Sequence, residues 1–172
     1  MSFASSALFF DDVELGQEWE SHGRTLTETD IVNFAGLSGD FNPIHMDHEF
    51  AKLTPFRQPI AHGLLVFSIG SGLGVNSPLM RTVAFIQVKE WNFRGPVFIG
   101  DTLRIRSKVL LKSVKGRGRR GEIVWQRTIV NQESKVVQEG QLITLVECRP
   151  LTRNRDQEND KSMTIVEPTA NN

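Results

Sequence analysis

The sequence predicts an α+β fold in which an antiparallel sheet wraps around one buried helix. Residues 63–73 carry no charge, and their apolar side chains cover most of a helical circumference, which is typical of a buried helix. Residues 82–147 are rich in β-branched and aromatic residues and are interrupted by glycine turns, which predicts consecutive strands. One helix followed by a strand-rich half indicates the α+β class. The 172 residues, 39% of them hydrophobic and 23% charged, suit one soluble domain and not two.

The chain before the central helix is predicted to contain one regular helix and a long irregular segment. Thr27 with Asp30 three residues later predicts an N-cap, and apolar residues follow at helical spacing. The Ser-Gly pair at residues 38–39 predicts the end of this helix. Three prolines interrupt residues 39–62, so this segment is predicted to be irregular except for a short helix at residues 47–53.

The strand predictions depend on alternation between apolar and polar residues. In residues 101–111, apolar side chains at 103, 105 and 109 alternate with basic ones at 104, 106 and 108, so one face is predicted to be buried. The last four predicted strands form a meander. Strands are predicted at residues 19–26, 82–93, 101–111, 122–131 and 135–147.

The charge balance excludes one function class and leaves two interpretations open. Lys plus Arg and Asp plus Glu both number 20, and a neutral chain argues against a dedicated nucleic-acid binder. The first 51 residues contain ten acids and one base, whereas residues 94–127 contain ten bases and two acids. The basic region therefore either faces an anionic ligand, or it attracts the acidic region within the fold or across a dimer.

The cellular compartment and the nature of the two terminal segments are predicted from the residues present. Cys148 is the only cysteine, which excludes an intrachain disulfide and fits a reducing, cytoplasmic location. The N-terminus lacks the basic region of a signal peptide. The longest uncharged stretch, residues 58–80, is bounded by proline and interrupted by polar residues, so no membrane span is expected. Residues 1–149 are predicted to form the domain and residues 150–172 a disordered C-terminal tail.

One short segment places chemically active side chains close together. Asp40, Asn42 and His45 lie within six residues, in a loop that Pro43 stiffens. A carboxylate and an imidazole held close together can share a water molecule, remove a proton from it and return a proton elsewhere. The same spacing also suits a capped turn with a structural histidine, so the pattern alone leaves both interpretations open.

The wider segment resembles a family motif. Residues 34–51 read F-x-x-L-S-G-D-x-N-P-I-H-x-x-x-x-x-A, which resembles the hydratase 2 motif of MaoC-like dehydratases, including (R)-specific enoyl-CoA hydratases. Residues 60–64 resemble the start of the central helix of that family, and residues 93–103 its strand–turn–strand. The resemblance covers roughly residues 10–148. It implies a hotdog fold, an antiparallel sheet around a central helix, usually in homodimers or dimer-based oligomers with the active sites at the subunit interface.

The resemblance also implies roles for individual residues. Asp40 and His45 are implied to be the catalytic pair, with Asn42 positioning the loop or the water. Gly63 begins the buried helix, where first-turn N–H groups lack helical partners, so it is the expected oxyanion donor, although a tight turn is the alternative. Ser71 is implied to hydrogen-bond the catalytic aspartate, or else it bonds within its own helix. His62 is expected to hold the loop, and no metal or cofactor is predicted.

The resemblance implies hydration of a trans-2-enoyl-CoA to an (R)-3-hydroxyacyl-CoA, or the reverse dehydration. The alternatives are a carrier-protein dehydratase of fatty acid or polyketide synthesis and a non-catalytic thioester-binding subunit. The expected partner is therefore an acyl-CoA or acyl carrier protein thioester, and no nucleic acid or membrane. Basic residues are candidates for the CoA phosphates, although the glycine-rich turn that carries three of them is more simply a solvated surface. These candidates are Arg94, Arg117, Arg119 and Arg120.

Overall fold

The computed structural model describes residues 7–150, so the predicted tail beyond Pro150 lies outside the described residues. Short 3-10 turns occur at Phe10–Asp12 and Gly116–Gly118. The helices are α1 (Glu28–Ser38), α2 (Pro43–Met46), α3 (His48–Lys52) and α4 (Gly63–Gly74). The strands are β1 (Glu18–Glu20), β2 (Arg24–Thr25), β3 (Thr82–Phe93), β4 (Thr102–Lys115), β5 (Arg120–Val130) and β6 (Val136–Glu147).

The strands form one antiparallel sheet in the order β1-β4-β5-β6-β3, and β2 pairs with β4 as well. The prediction of a four-strand meander is wrong for β3, which pairs with β6 and not with β4. The reason is the path of residues 94–101. This connection packs against the segment before α4, where the Ala61 N–H donates to the Val97 carbonyl at 2.8 Å, and so crosses the ends of β6 and β5 before β4 begins.

Helix α4 packs into the curve of the sheet and confirms the predicted architecture. Its buried residues share one cluster with Leu103 and Ile105 of β4 and with Ile129 of β5. A side chain at Gly70 would collide with Ile129, so glycine is needed for the helix to approach the sheet this closely. Leu64 is 62% exposed, which shows that the helix is not covered on every side. Within residues 7–150, no helix is long and apolar enough to cross a membrane.

The local predictions for the first half are confirmed with two changes, the first of which is that residues 43–46, predicted to be irregular, form the one-turn helix α2 that Asn42 caps. Thr27 and Asp30 form a reciprocal capping box at the start of α1, and Gly39 ends this helix in the left-handed conformation. The strand predicted at residues 19–26 is two short strands. Ser21 separates them because its buried hydroxyl turns away to accept the Ile105 N–H at 3.0 Å.

Part of the uneven charge is paired inside the fold. Glu20 on β1 lies 2.7 Å from the Arg106 guanidinium on β4, and Glu18 lies 2.8 Å from the Lys108 ammonium. Both pairs join an acid of the first 51 residues to a base of residues 94–127. This is the predicted attraction between the two regions, and it neutralises the outward face of β4. Because these pairs are solvent-exposed, each contributes only about 0–1 kcal/mol.

Candidate active site

The loop after α1 holds Asp40 by local hydrogen bonds. The Asp40 N–H donates to the Ser38 hydroxyl at 3.2 Å, which turns the chain away from the helix axis. One carboxylate oxygen of Asp40, Oδ1, accepts the N–H of Asn42 at 3.2 Å. The Asn42 side chain in turn caps α2 by accepting the Ile44 N–H at 3.1 Å. Asn42 therefore positions the loop, as the motif implies, and leaves Oδ2 of Asp40 for other partners.

The tautomer of His45 directs its lone pair toward Asp40. Nδ1 of His45 lies 2.7 Å from the Ile60 carbonyl, and because a carbonyl only accepts, Nδ1 carries the proton. Nε2 is therefore the basic nitrogen, and it lies 4.0 Å from Oδ2 of Asp40. This separation is too long for a direct hydrogen bond, but one water molecule can bridge the two atoms.

His62 ties the start of α4 to the loop. Its Nε2 donates to the Asp40 carbonyl at 2.9 Å, which confirms the expected loop-holding role. Its ring stacks on the ring of His45 with centroids 3.9 Å apart. Nδ1 of His62 is buried and has no hydrogen-bond partner in the described part of the chain. The imidazole thus fixes both the backbone of Asp40 and the plane of His45.

The environment of His45 favours its neutral form. Burial lowers the pKa of His45, and the neighbouring His62 lowers it further. The Ile60 carbonyl and the Asp40 carboxylate act in the opposite direction without overcoming the burial. The side chain is 12% exposed, whereas that of Asp40 is 53% exposed. A neutral imidazole at neutral pH is the form that accepts a proton from water.

Gly63 presents a free N–H beside this pair. As the first residue of α4 its N–H has no helical acceptor, and no other acceptor for it lies among residues 7–150. A side chain there would lie 2.8 Å from the Phe93 ring, so glycine leaves room for both the ring and a ligand. The N-terminal dipole of α4 adds partial positive charge at the same point.

Two residues of this site were missed by sequence reasoning. Gln138 on β6 is 2% exposed, and its amide donates to the Gly63 carbonyl at 2.8 Å while accepting from the Trp91 indole at 3.0 Å. A glutamine on the inward face of a mainly apolar strand was the available signal. Phe93 begins the segment that resembles the strand–turn–strand of the family, but nothing in its sequence position indicates contact with Gly63.

A cavity of about 360 Å³ joins these groups. Its lining includes His45, Gly63, Phe93, Arg94 and Gln138. The cavity therefore brings together His45 of the predicted pair, the predicted oxyanion donor Gly63 and the predicted phosphate-binding residue Arg94, whereas Asp40 does not line it and is connected to it through His45. The Arg94 guanidinium also lies 2.9 Å from the Glu139 carboxylate, so part of its charge is already neutralised.

The remaining predicted residues lie elsewhere. Ser71 is eight residues after Gly63, about 12 Å along the helix, so it lies away from Asp40 of the same chain, and its implied hydrogen bond to the aspartate stays a prediction. Arg117, Arg119 and Arg120 lie at the far end of the β4–β5 hairpin. Ile129, the partner of Gln138, is nine residues from Arg120, which corresponds to about 30 Å of strand. The phosphate role of these arginines stays a prediction.

Asp40, His45 and His62 could also hold a metal ion. One ligand atom from each lies within 4.8 Å of the other two. The two imidazole nitrogens carry lone pairs and the carboxylate adds charge, which suits a divalent transition metal. The same three atoms suit a water molecule, which needs only hydrogen-bond partners. The prediction of a metal-free site stays a prediction.

Comparison with known proteins identifies the family. The sequence profile of the MaoC like domain matches residues 12–131. The chain is 35% identical over 142 residues to an (R)-specific enoyl-CoA hydratase of Rhodospirillum rubrum, a match that covers 82% of this chain and 93% of that one. It is 40% identical over 103 residues to a 3-hydroxybutyryl-CoA dehydratase of Methylorubrum extorquens, covering 59% and 64%. The chain belongs to the MaoC-like family, and it is an enzyme of the hydro-lyase class.

Solved structures agree on the fold. A MaoC-like dehydratase from Rhodospirillum rubrum superposes with a TM-score of 0.75 at 28% identity, covering 84% of this chain and all of that one. A Mycobacterium tuberculosis protein described as a double hotdog fold gives 0.76 at 20% identity, covering 87% of this chain and 47% of that one. The hotdog fold is therefore confirmed. Some relatives are longer, and the chain matches 32% of the length of protein MaoC from Klebsiella aerogenes.

Proposed function

We propose that this protein catalyses the reversible addition of water to a trans-2-enoyl thioester, giving the (R)-3-hydroxyacyl thioester. The observation that carries the proposal is the 4.0 Å separation of Asp40 Oδ2 and His45 Nε2 beside the free N–H of Gly63. The pair suits one activated water, and the N–H suits a thioester oxygen. The names of the relatives from Rhodospirillum rubrum and Methylorubrum extorquens support the same reaction.

The proposed chemistry needs only the Asp40–His45 pair, one water molecule and the Gly63 N–H. The water oxygen bonds to C3 of the enoyl group as neutral His45 and the Asp40 carboxylate remove its proton. The electron pair of the C2–C3 double bond moves toward the carbonyl, whose oxygen gains negative charge and accepts the Gly63 N–H. The pair then returns a proton to C2 and the carbonyl re-forms. One water molecule has been added, and the reverse sequence is the dehydration.

A direct assay tests this function. The purified protein is incubated with trans-2-enoyl-CoA substrates of increasing chain length, and the 3-hydroxyacyl products are resolved on a chiral column. We expect hydration to the (R) product. The same enoyl chains on an acyl carrier protein separate the CoA-dependent reaction from that of a carrier-protein dehydratase. Absence of hydration with both series would refute the proposal and favour the non-catalytic thioester-binding subunit.

The pH profile provides an independent check on His45. A histidine that acts as a base must be neutral, and burial lowers the pKa of His45 below its ordinary value of 6.5. Protonation, and with it the loss of activity, therefore sets in only at more acidic pH. We expect kcat/KM to remain high as the pH falls through 6.5 and to decline below it. An acid limb centred at or above 6.5 in steady-state measurements contradicts this assignment.

The protein is further proposed to act as a homodimer through β3. Among residues 7–150 this strand pairs only with β6, so its other edge is unpaired in the described part of the chain. It exposes several large apolar side chains, and such an edge is a ready template for another strand. On β3 these are Val83, Phe85, Ile86 and Val88, which are 40–51% exposed, and Phe93 at the end of the strand, which is 56% exposed.

Self-association is tested by charging this edge. Ile86→Glu places a carboxylate on the apolar edge. We therefore expect the measured molar mass to fall from that of a dimer in the wild type to that of a monomer in the variant. The measurement is light scattering at micromolar concentration. Leu37→Glu on α1 is the matched control, because Leu37 is also apolar and is 84% exposed but lies off the sheet. A wild-type protein that is stably monomeric contradicts the proposal.

A further inference from the structure

Gln138 places a buried amide in the lining of the active-site cavity. Both ends of the amide are bonded, because Oε1 lies 3.0 Å from the Trp91 indole nitrogen and Nε2 lies 2.8 Å from the Gly63 carbonyl oxygen. An indole N–H only donates and a carbonyl only accepts, so these partners fix which end of the amide faces which group. An amide in an apolar interior is costly without such bonds, so a glutamine at this point requires an explanation.

The backbone of β3 is deformed where it presents Trp91 to this amide. Glu90 has a φ of 53°, in the left-handed region that a residue with a side chain adopts at a cost of about 1–2 kcal/mol. The register between β3 and β6 shifts at the same point, and the Asn92 side chain donates to the Glu90 carbonyl at 2.7 Å. Trp91 is half-buried against the core, whereas the residues on both sides of it are exposed. Such strain persists only where surrounding contacts enforce it.

Neighbouring residues are fitted to the indole of Trp91. A side chain at Gly140 on β6 would lie 2.7 Å from Cε3 of the indole, so glycine leaves room for the ring. The Phe67 ring on α4 packs edge-on against the indole, with the centroids 4.7 Å apart. These contacts hold the indole between the sheet and the helix, with its N–H on Gln138.

The bond from Gln138 supports a helix start that has no side-chain cap. His62, the N-cap residue of α4, makes no side-chain capping bond. Gly63 follows it, and glycine has more conformational freedom than any other residue. Only the rotations φ and ψ separate the N–H of Gly63 from its carbonyl, so a bond that fixes the carbonyl also restricts the direction of the N–H. Gln138 supplies this bond from the sheet, while the His62 ring holds the Asp40 carbonyl on the loop side.

We propose that Gln138, held by Trp91, is a positioning residue that directs the Gly63 N–H at the thioester oxygen. This role rests on the proposed function and adds a residue to it. Gln138 acts through Gly63 and transfers no proton. A donor stabilises the developing charge fully only when it is directed at the oxygen before the reaction begins. Loss of Gln138 therefore affects the transition state more than the bound substrate, so kcat falls and KM stays close to its wild-type value.

Gln138→Met removes the amide and keeps the length of the side chain. In hydration of a trans-2-enoyl-CoA we expect kcat to fall by about tenfold or more, because a small misplacement of a catalytic group has a cost of this order. KM should change by less than about twofold. Gln141→Met is the matched control, because it makes the same substitution on β6 at a residue that does not line the cavity, and it should keep both constants.

Trp91→Phe tests the other end of the amide, and it also covers the case in which Gln138→Met does not fold. Phenylalanine keeps an aromatic ring against Phe67 but removes the indole N–H that holds Gln138. We expect kcat to fall by about threefold or more with KM unchanged, because the amide is still present but less firmly held. An unchanged kcat in the folded Gln138→Met variant, or in Trp91→Phe where Gln138→Met does not fold, overturns the proposal.

A comparison of double variants separates positioning from a general structural role. Phe93→Ala makes room for a side chain at residue 63, where alanine keeps the N–H and proline removes it. Adding Gln138→Met should lower kcat by about tenfold or more in the Phe93→Ala/Gly63→Ala protein. In the Phe93→Ala/Gly63→Pro protein it should lower kcat by less than about twofold, because no donor is left to direct. An equal fall in both proteins overturns the proposal.

An NMR signal keeps this result separate from the proposed function. In the protein without substrate, Gln138→Met should shift the amide resonance of Gly63 and leave that of Gly36, which lies on α1, unchanged. Absence of hydration by the wild-type protein counts against the proposed function. An unchanged Gly63 resonance, or equal falls in kcat in the two double-variant backgrounds, counts against the role of Gln138 alone.

Discussion

Asp40→Asn and His45→Gln are each expected to lower kcat by at least about 100-fold while the protein stays folded. Asparagine keeps the oxygen that accepts the Asn42 N–H, but it cannot take a proton from water. Glutamine keeps an N–H donor for the Ile60 carbonyl but has no basic nitrogen. The measurement is steady-state hydration of a trans-2-enoyl-CoA, with thermal unfolding followed by circular dichroism to confirm the fold.

Matched controls lie within a few residues of the pair. His48→Gln removes an exposed imidazole that only contacts Glu28, and Glu49→Gln removes an exposed carboxylate that pairs with Lys52. Both controls should keep the wild-type kcat, because these side chains pair with Glu28 and Lys52 and not with Asp40 or His45. Folded Asp40→Asn and His45→Gln variants with wild-type turnover would exclude the proposed mechanism.

Removing the Gly63 N–H is expected to lower kcat by about 10²–10³-fold, the usual effect of losing one oxyanion donor. Gly63→Pro deletes this N–H, and proline is well tolerated at the first position of a helix. The backbone of His62, with φ −58° and ψ 135°, is extended, as a residue before proline requires. The helix should therefore form in the variant.

The added ring atoms would meet Phe93, so the comparison is made in a Phe93→Ala background. There, Gly63→Ala adds a side chain but keeps the N–H, whereas Gly63→Pro adds a side chain and removes it. The ratio of their kcat values isolates the donor. Equal kcat values for the two folded variants would show that the Gly63 N–H does not stabilise the transition state.

Features that depend on neighbouring residues could be predicted from the sequence. The capping box of Thr27 and Asp30 and the helix end at Gly39 are set by side chains within a few positions of each other. The inward and outward faces of β4 follow from the period of its apolar residues. The burial of α4 follows from the absence of charged residues in its sequence. The motif around Asp40 and His45 identified the chemical groups of the site, because their types and spacing are visible in a single segment.

Features that depend on distant partners were decided by the tertiary structure. The Asp40 carbonyl is held by His62, 22 residues later, and the tautomer of His45 is set by the Ile60 carbonyl, 15 residues later. Gln138 reaches Gly63 across 75 residues. Only the packing of β6 against the start of α4 places that amide in the site, and no periodic pattern in the chain specifies it.

The same reason explains why the predicted strand order was wrong. Strand β3 pairs with β6 because the connection at residues 94–101 crosses the end of the sheet, whereas alternation within a strand identifies its faces but not its neighbours. Whether Ser71 reaches a catalytic aspartate likewise depends on tertiary contacts, because the length of α4 separates it from Asp40 of the same chain. The sequence by itself determined helices α1 and α4, the strand faces and the residue types of the candidate site. The tertiary structure alone decided strand order and the atoms that meet in the site, because these depend on contacts between segments far apart in the chain.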